Sequence, residues 1–250
     1  MKIIILGASG LIGNSIKSVF EIDRSIRLLG TFCNNTYFNK NPKQNLYKFN
    51  VLSDDSIYDF ICREKPDLII NCLGITKHLK DQFSEDNFIK VNSFFPKYVS
   101  SLATEIKSRF IHISTDCVYD GKKGNYSEKD IPNANDIYGL SKLFGEKIAL
   151  SYKNGFVVRS SIIGPDHRKE GAGLFNWFYT LNQREKINGY SNHLWNGVTT
   201  LEWCKQVKEN IIENNNKNFL CFSSNTVSKF ELLTMINTIF EKQITICNYK

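Results

Sequence analysis

The sequence has no long hydrophobic run, no patterned cysteines and no basic block, and each absence removes a class of function. The longest apolar stretches, such as 3–6 and 68–70, fall far short of the ~20 residues needed to cross a bilayer. Met1 and Lys2, followed by four apolar residues and Gly7, make too short a core for a secretory signal. No membrane contact is therefore expected, and the address is expected to be cytoplasmic. The seven cysteines (Cys33, Cys62, Cys72, Cys117, Cys204, Cys221, Cys247) include no Cys-x-x-Cys and have no His pair at ligand spacing. An odd, scattered set fits reduced thiols and argues against a disulfide framework or a metal site. Basic residues are nowhere interleaved with aromatics in a block, so nucleic acid is not an expected partner. The formal charge of +7 suits a small anionic ligand instead.

What is present centres on Tyr138-Gly139-Leu140-Ser141-Lys142. A helix beginning near Asp136 or Tyr138 puts the phenol and the ammonium on one face, one turn apart. A free Tyr titrates at about 10, and a nearby cation favours the phenolate. A Tyr tuned towards neutrality can hand a proton to a carbonyl oxygen that is becoming an alkoxide. The spacing alone is common on solvated helix faces; two other stretches give it weight. The first is an apolar, β-branched run at 2–6 that reads as a strand buried on both faces. It feeds into Gly7-Ala8-Ser9-Gly10-Leu11-Ile12-Gly13 and then a helical pattern over 14–20. Gly7 permits the tight turn, Gly10 lets backbone approach a pyrophosphate, and Gly13 allows close packing of helix on strand. The second is a strand at 109–113 that ends in the hydroxyls of Ser114 and Thr115, with His112 reading as a packed strand residue.

The rest of the chain supplies the frame. A second strand at 25–32 ends at Thr31, Phe32, Cys33 and Asn34, with no carboxylate to hold a ribose 2′-hydroxyl. That favours NADP(H), with Lys40 or Lys43 near a 2′-phosphate, and leaves NADH open. A third strand is expected at 45–51 and a helix cap at 53–55. A strand at 66–74 runs into a small-residue loop, 71–76, that should border the cofactor. A long amphipathic helix is expected over 88–106 with a bend at Pro96. The alternation through Arg159 predicts an α/β fold, a Rossmann-type doubly wound parallel sheet, as an NAD(P)-binding domain over 1–160. Residues 161–250 then make a small C-terminal α/β substrate-binding lobe, part of which is free to return to the main sheet. Its expected elements are helices at 174–181, 200–212 and 228–240, with a strand at 218–223.

Three motifs occur in one order: Gly7-x-x-Gly10-x-x-Gly13, Ser114-Thr115-Asp116-Cys117-Val118-Tyr119-Asp120-Gly121, and Tyr138-Gly139-x-Ser141-Lys142-x-x-Gly145-Glu146. In this the chain resembles the extended short-chain dehydrogenase/reductases, and within them most the dTDP-4-dehydrorhamnose reductase branch. The resemblance implies an NAD(P)H-dependent oxidoreductase acting on a nucleotide-diphosphate sugar, reducing a 4-keto-6-deoxy sugar in carbohydrate biosynthesis. It implies that Thr115 orients the substrate carbonyl, with Ser114 as the neighbouring alternative. Tyr138 is then the general acid, and Lys142 lowers its pKa while holding the nicotinamide ribose. Cofactor contacts are implied for Gly7, Ser9, Gly10, Leu11, Ile12, Gly13, Asn34, Asn50, Val51, Cys72, Leu73 and Gly74, together with Tyr138 and Lys142. Asn92 matches a buried family Asn, and Asn50 departs from an acidic residue usual at its place. Cys117 also departs, standing where this branch carries an aromatic residue. A similarly placed Cys acts as an acid/base in GDP-fucose synthase, so a bifunctional epimerase/4-reductase is a second reading, although 172–175 lacks the partner His and His167 lies on a turn. A non-catalytic NAD(P)-binding regulatory subunit is the third, and a homodimer is compatible with all three.

Overall fold

Successive strand residues point to opposite faces, and β1 (Lys2–Leu6) supplies an apolar core on each. Ile3 and Ile5 pack with Ile16 and Phe20 of α1 (Leu11–Phe20) on one side; Ile4 and Leu6 pack with Phe60, Ile61 and Val99 on the other. A strand buried on both faces needs helices on both sides of its sheet, and that is the architecture found. The computed structural model describes residues 1–33, 45–168, 173–213 and 218–250.

After α1 come β2 (Arg27–Phe32), β3 (Leu46–Lys48), α2 (Ile57–Glu64), β4 (Leu68–Asn71), α3 (Glu85–Ile89) and α4 (Phe95–Glu105). The chain continues through β5 (Arg109–Ile113), α5 (Ile137–Leu150), β6 (Gly155–Ser160), β7 (Ile162–Ile163) and α6 (Leu174–Thr180). It ends with β8 (Lys186–Tyr190), β9 (Leu194–Trp195), β10 (Val198–Thr199), α7 (Thr200–Val207), β11 (Phe219–Phe222), β12 (Val227–Ser228), α8 (Lys229–Ile239) and β13 (Thr245–Tyr249). Seven strands form one parallel sheet in the order β11-β6-β5-β4-β1-β2-β3. The strand order reverses between β1 and β4, so the crevice beyond their carboxyl ends is where such sheets take ligands.

Three local expectations shift. The third strand is shorter than 45–51, because Asn50 turns the chain: its Oδ1 accepts the Leu52 N–H at 3.0 Å. The residue before α2 is Ser56 and not one of 53–55; Asp54 instead accepts the Ser56 N–H at 2.8 Å. The helix over 88–106 is divided, with a widened π-type turn at Lys90–Phe94 between α3 and α4. Pro96 has no N–H to offer the Asn92 carbonyl. Gly145 of α5 lies against that carbonyl so closely that a Cβ there would collide with it.

The C-terminal third is shared between two bodies. Strand β11 extends the main sheet beside β6, and Trp203 and Val207 of α7 join the core under α1. The remainder closes its own small core of Phe178, Leu232, Leu233, Ile236 and Ile244, bordered by the parallel pair β8 and β13. The late helix α8 begins with a full capping box between Ser228 and Glu231.

Helix α5 is tied to the sheet by a buried ion pair. Arg159 on β6 donates to both carboxylate oxygens of Glu146, Nε to Oε2 at 2.8 Å, and its guanidinium lies 4.6 Å from the centre of the Phe219 ring. Removing one partner strands the other charge in the interior. Arg159→Met is therefore expected to lower unfolding free energy by about 3–5 kcal/mol, measured by urea denaturation, and Glu146→Gln in the same chain should recover part of the loss.

Candidate active site

The site is built where the end of β5 meets the start of α5. Asp136 caps α5 by accepting the Gly139 N–H at 2.8 Å, and its other carboxylate oxygen receives Lys77 Nζ at 2.8 Å. Gly139 lets this first turn lie directly on the Cys117 carbonyl, where a Cβ would clash. Beyond β5, Thr115 caps the tight 3₁₀ turn Asp116–Val118, accepting the Cys117 N–H at 3.1 Å. These two caps bring the Thr115 hydroxyl near enough to the Tyr138 phenol to act on its titration, while Thr115 Oγ1 also donates to Asp116 Oδ1 at 3.1 Å. Thr115 is buried and Tyr138 is half-buried.

One turn along α5, Lys142 is buried. Its Nζ donates to the Ile113 carbonyl and lies 3.4 Å from Nε2 of His112. Burial pulls the lysine down to about 8, against the opposing pull of Glu146 and Cys72. Burial pushes the Tyr138 phenol up, only partly offset by the Thr115 hydroxyl. The phenol is thus kept protonated, the opposite of the lowering that the Tyr-Lys spacing suggested. The reason is burial of the phenol, while Lys142 Nζ is turned to a backbone carbonyl and an imidazole.

Ser114 is bound elsewhere: its hydroxyl donates to Glu146 Oε2 at 2.8 Å, within the Arg159 network. Cys117 is half-buried, and burial and then Asp116 push its thiol up, against the making of a thiolate. Among the described residues no hydrogen bond joins Cys117 to a histidine, and His167 is exposed on its turn.

The glycine turn stands across the crevice. Gly7 adopts a φ of +84°, its N–H donates to Thr31 Oγ1 at 2.8 Å, and a Cβ on it would come 2.9 Å from the Leu73 side chain. The turns after β1 and β4 are thereby in contact. No side chain caps α1 and no acid occupies its first turn, so the dipole and amides there suit an anion, and Gly10, Leu11, Ile12 and Gly13 fit a dinucleotide pyrophosphate. Ser9 lies in the same turn. Gly74 sits between Asn92 and Lys142, with a built Cβ 3.3 Å from Asn92 Oδ1 and 3.9 Å from Lys142 Nζ. Asn92 is fully buried and holds this loop by accepting the Ile75 N–H and donating to the Ile75 carbonyl and Ser141. Cys72, in the same loop, has its thiol pushed up by burial. Val51 packs towards Ile75, Phe88 and Val91 beside Asn50. Asn34, Lys40 and Lys43 lie outside the described residues. Sequence reasoning missed the Glu146–Arg159 pair and the contact of His112 with Lys142. Only the alternation that puts His112 and Ser114 on one face of the chain hinted at the latter.

With this geometry, the chain was compared with known proteins. The profile of the RmlD substrate binding domain matches residues 1–186. The chain belongs to that family. It is 26% identical over 162 residues to a dTDP-4-dehydrorhamnose reductase of Aggregatibacter actinomycetemcomitans, covering 64% of this chain and 51% of that one. It is 28% identical over 157 residues to the methionine adenosyltransferase 2 subunit beta of Bos taurus, covering 63% of this chain and 45% of that one. The chain thus spans about half the length of the curated relatives it matches. A crystal structure of a hypothetical dTDP-4-dehydrorhamnose reductase from Sulfolobus tokodaii superposes with a TM-score of 0.81 at 27% identity, covering all of this chain and 86% of that one. The segment matched to the RmlD family takes in every side chain of the crevice and stops at the first residue of β8.

The cap at Asp136 holds the turn that carries Tyr138. Burial raises its carboxyl, but the Gly139 amide and Lys77 outweigh that and leave it below the usual range. Asp136→Ala should lower stability by about 1 kcal/mol at pH 7. A depressed acid stabilises above its unfolded pKa, so thermal melts of the two proteins should converge as pH falls below about 3.9.

Proposed function

We propose that this chain is a reductase of a nucleotide-linked 4-keto-6-deoxy sugar, with NADPH as its cofactor and NADH as the alternative. The observation that carries the reading is the meeting of Thr115 and Tyr138 beside Lys142, at the crevice that the glycine turn borders. NADPH bound there supplies the hydride. Thr115 orients the keto oxygen, and Tyr138, held protonated by burial, gives that oxygen its proton as negative charge builds on it. Gly7, Gly10 and Gly13 receive the pyrophosphate, and Lys40 or Lys43 a 2′-phosphate. Similarity to a dTDP-4-dehydrorhamnose reductase supports the substrate class.

The nucleotide end of the substrate is assigned to the lobe. An open groove of about 670 Å³ there is lined by Leu174, Trp177, Ile187, Asn188, Tyr190 and Lys229, which offers aromatic faces for a base and a cation for a phosphate. Thr115, Tyr138 and Lys142 do not line it, so it is a site for recognition and not for chemistry. Exposed Phe94 and Tyr98, with Phe144 on neighbouring α5, support a homodimer through this face. All seven cysteines are free, in keeping with a reducing, cytoplasmic setting.

Similarity to the methionine adenosyltransferase subunit favours the regulatory reading. Against it stands the presence of all three reactive groups, the two hydroxyls at the crevice and Lys142 one turn along α5. Epimerisation through Cys117 has less support, given its raised thiol and lack of a bonded histidine.

Mixed with NADPH and dTDP-4-keto-6-deoxyglucose, the protein should consume the absorbance at 340 nm. Tyr138→Phe should cut that rate by roughly 10²–10⁴-fold with NADPH binding retained. Binding without turnover of any ketosugar would favour the regulatory reading, and solvent deuterium at C3 or C5 of the product would favour epimerisation. Lys229→Ala should raise KM roughly tenfold while leaving kcat nearly unchanged, as loss of uniform binding does.

A further inference from the structure

His112 is the buried member of the four histidines; His78, His167 and His193 are all exposed. Burial holds its pKa well below the usual imidazole value, and a charge on Lys142 lowers it further, so the ring is neutral in either state of the lysine and carries a single N–H. Which nitrogen carries it follows from the neighbours. The Leu73 N–H donates to Asn71 Oδ1 at 3.1 Å, which fixes the orientation of that amide. Asn71 Nδ2 then faces His112 Nδ1 at 3.3 Å, and an NH₂ group can only donate, so Nδ1 must be the acceptor. The ring proton therefore lies on Nε2, which faces Lys142 Nζ at 3.4 Å. Lysine can accept that hydrogen bond only as an amine, since an ammonium has no lone pair.

We propose that His112 is a positioning residue that couples the proton on Lys142 to the Asn71 amide in the loop beside the cofactor crevice. In the arrangement present, hydrogen bonds run from Leu73 to Asn71 to His112 to an uncharged Lys142. When Lys142 takes up one proton from solvent, it becomes a donor to Nε2. The imidazole stays neutral with its proton moved to Nδ1, Asn71 turns its oxygen to meet that N–H, and Leu73 loses its acceptor. Charging Lys142 thus loosens the Leu73–Gly74 loop, and ordering that loop returns the lysine to the amine.

The other groups facing Lys142 do not duplicate this. Glu146, on its own helix, favours the charge but is matched by Arg159. Cys72, from the loop after β4, favours it too, but its thiol is held neutral by burial. The turn Lys90–Phe94 contributes Asn92 and Ser93, which are uncharged. Gly145 has room for no side chain, since a Cβ would collide with the Asn92 carbonyl and come 3.1 Å from Nε2, so the imidazole and helix α5 stay in contact.

The catalytic consequence rests on the reductase reading, in which Tyr138 must regain a proton after each turnover and Lys142 stands one turn away to pass it. The coupling itself is measured without turnover. In the cofactor-free wild-type chain labelled with ¹⁵N-histidine, the buried imidazole should show Nε2–H at pH 9.5 and Nδ1–H at pH 6.5. Its midpoint should coincide with the titration of Lys142 followed by lysine ¹³Cε shifts. One tautomer throughout, or midpoints that differ, would overturn the proposal whatever the enzyme does. In His112→Phe the cost of switching disappears, so Lys142 should bind its proton about tenfold more tightly, a midpoint roughly one unit higher; an unchanged midpoint in the folded variant also overturns it. Coincident midpoints in a chain that turns over no ketosugar would sink the reductase reading and leave the coupling standing.

Discussion

Helix α5 can approach the sheet only where it lacks side chains, and everything reactive in this protein depends on that approach. Gly145 lies on the Asn92 carbonyl and Gly139 on the Cys117 carbonyl, and neither contact leaves space for a Cβ. Pro96 completes the arrangement from the other side, because without its N–H the Asn92 carbonyl is released from the helix and the turn there widens. Interiors are packed to the density of organic crystals, so a methyl group at either glycine would move the helix and not merely crowd it. Lys142 and Tyr138 sit within the same eight-residue stretch as these glycines. Their positions are set by backbone contacts before any side-chain interaction acts.

That closeness also decides the electrostatics. A lysine and a tyrosine on an exposed helix face would titrate near their ordinary values. Here burial raises the phenol and lowers the lysine, so both lean towards their uncharged forms. In the proposed reaction the donor to the carbonyl oxygen has to hold its proton until charge builds there, which suits a phenol raised by burial. The neighbouring hydroxyl of Ser114 has been drawn into the Glu146–Arg159 network, so of the two it is Thr115 that stands by the phenol. A single buried ion pair therefore fixes the helix and also divides the labour between two adjacent hydroxyls.

The lobe follows a different logic from the sheet. Its core is small, its strands pair only two by two, and its groove is open. Most of its elements, from Ile187 onward, lie beyond the segment matched to the family, while Ile163, α6 and Leu181 lie within it. In the proposed function the sheet carries the chemistry and the lobe the recognition, a division by which one fold can serve different substrates.

Much of this was legible in the residues alone. The apolar β-branched run at 2–6, the glycine turn and the strand-helix alternation specify a doubly wound sheet, because each is a local pattern whose burial has one economical solution. The helix starts near Asp136 and Ser228 and the place of Thr115 at a strand end are local too. What the sequence could not decide were the contacts between residues distant along the chain. Lys142 meets the Ile113 carbonyl and His112, Ser114 meets Glu146, Gly7 meets Leu73, and β11 returns to the sheet. The direction in which Tyr138 shifts belongs with these. A spacing of four residues says that a cation is near, but burial and the cation's other partners decide which effect wins, and both exist only once the chain is folded.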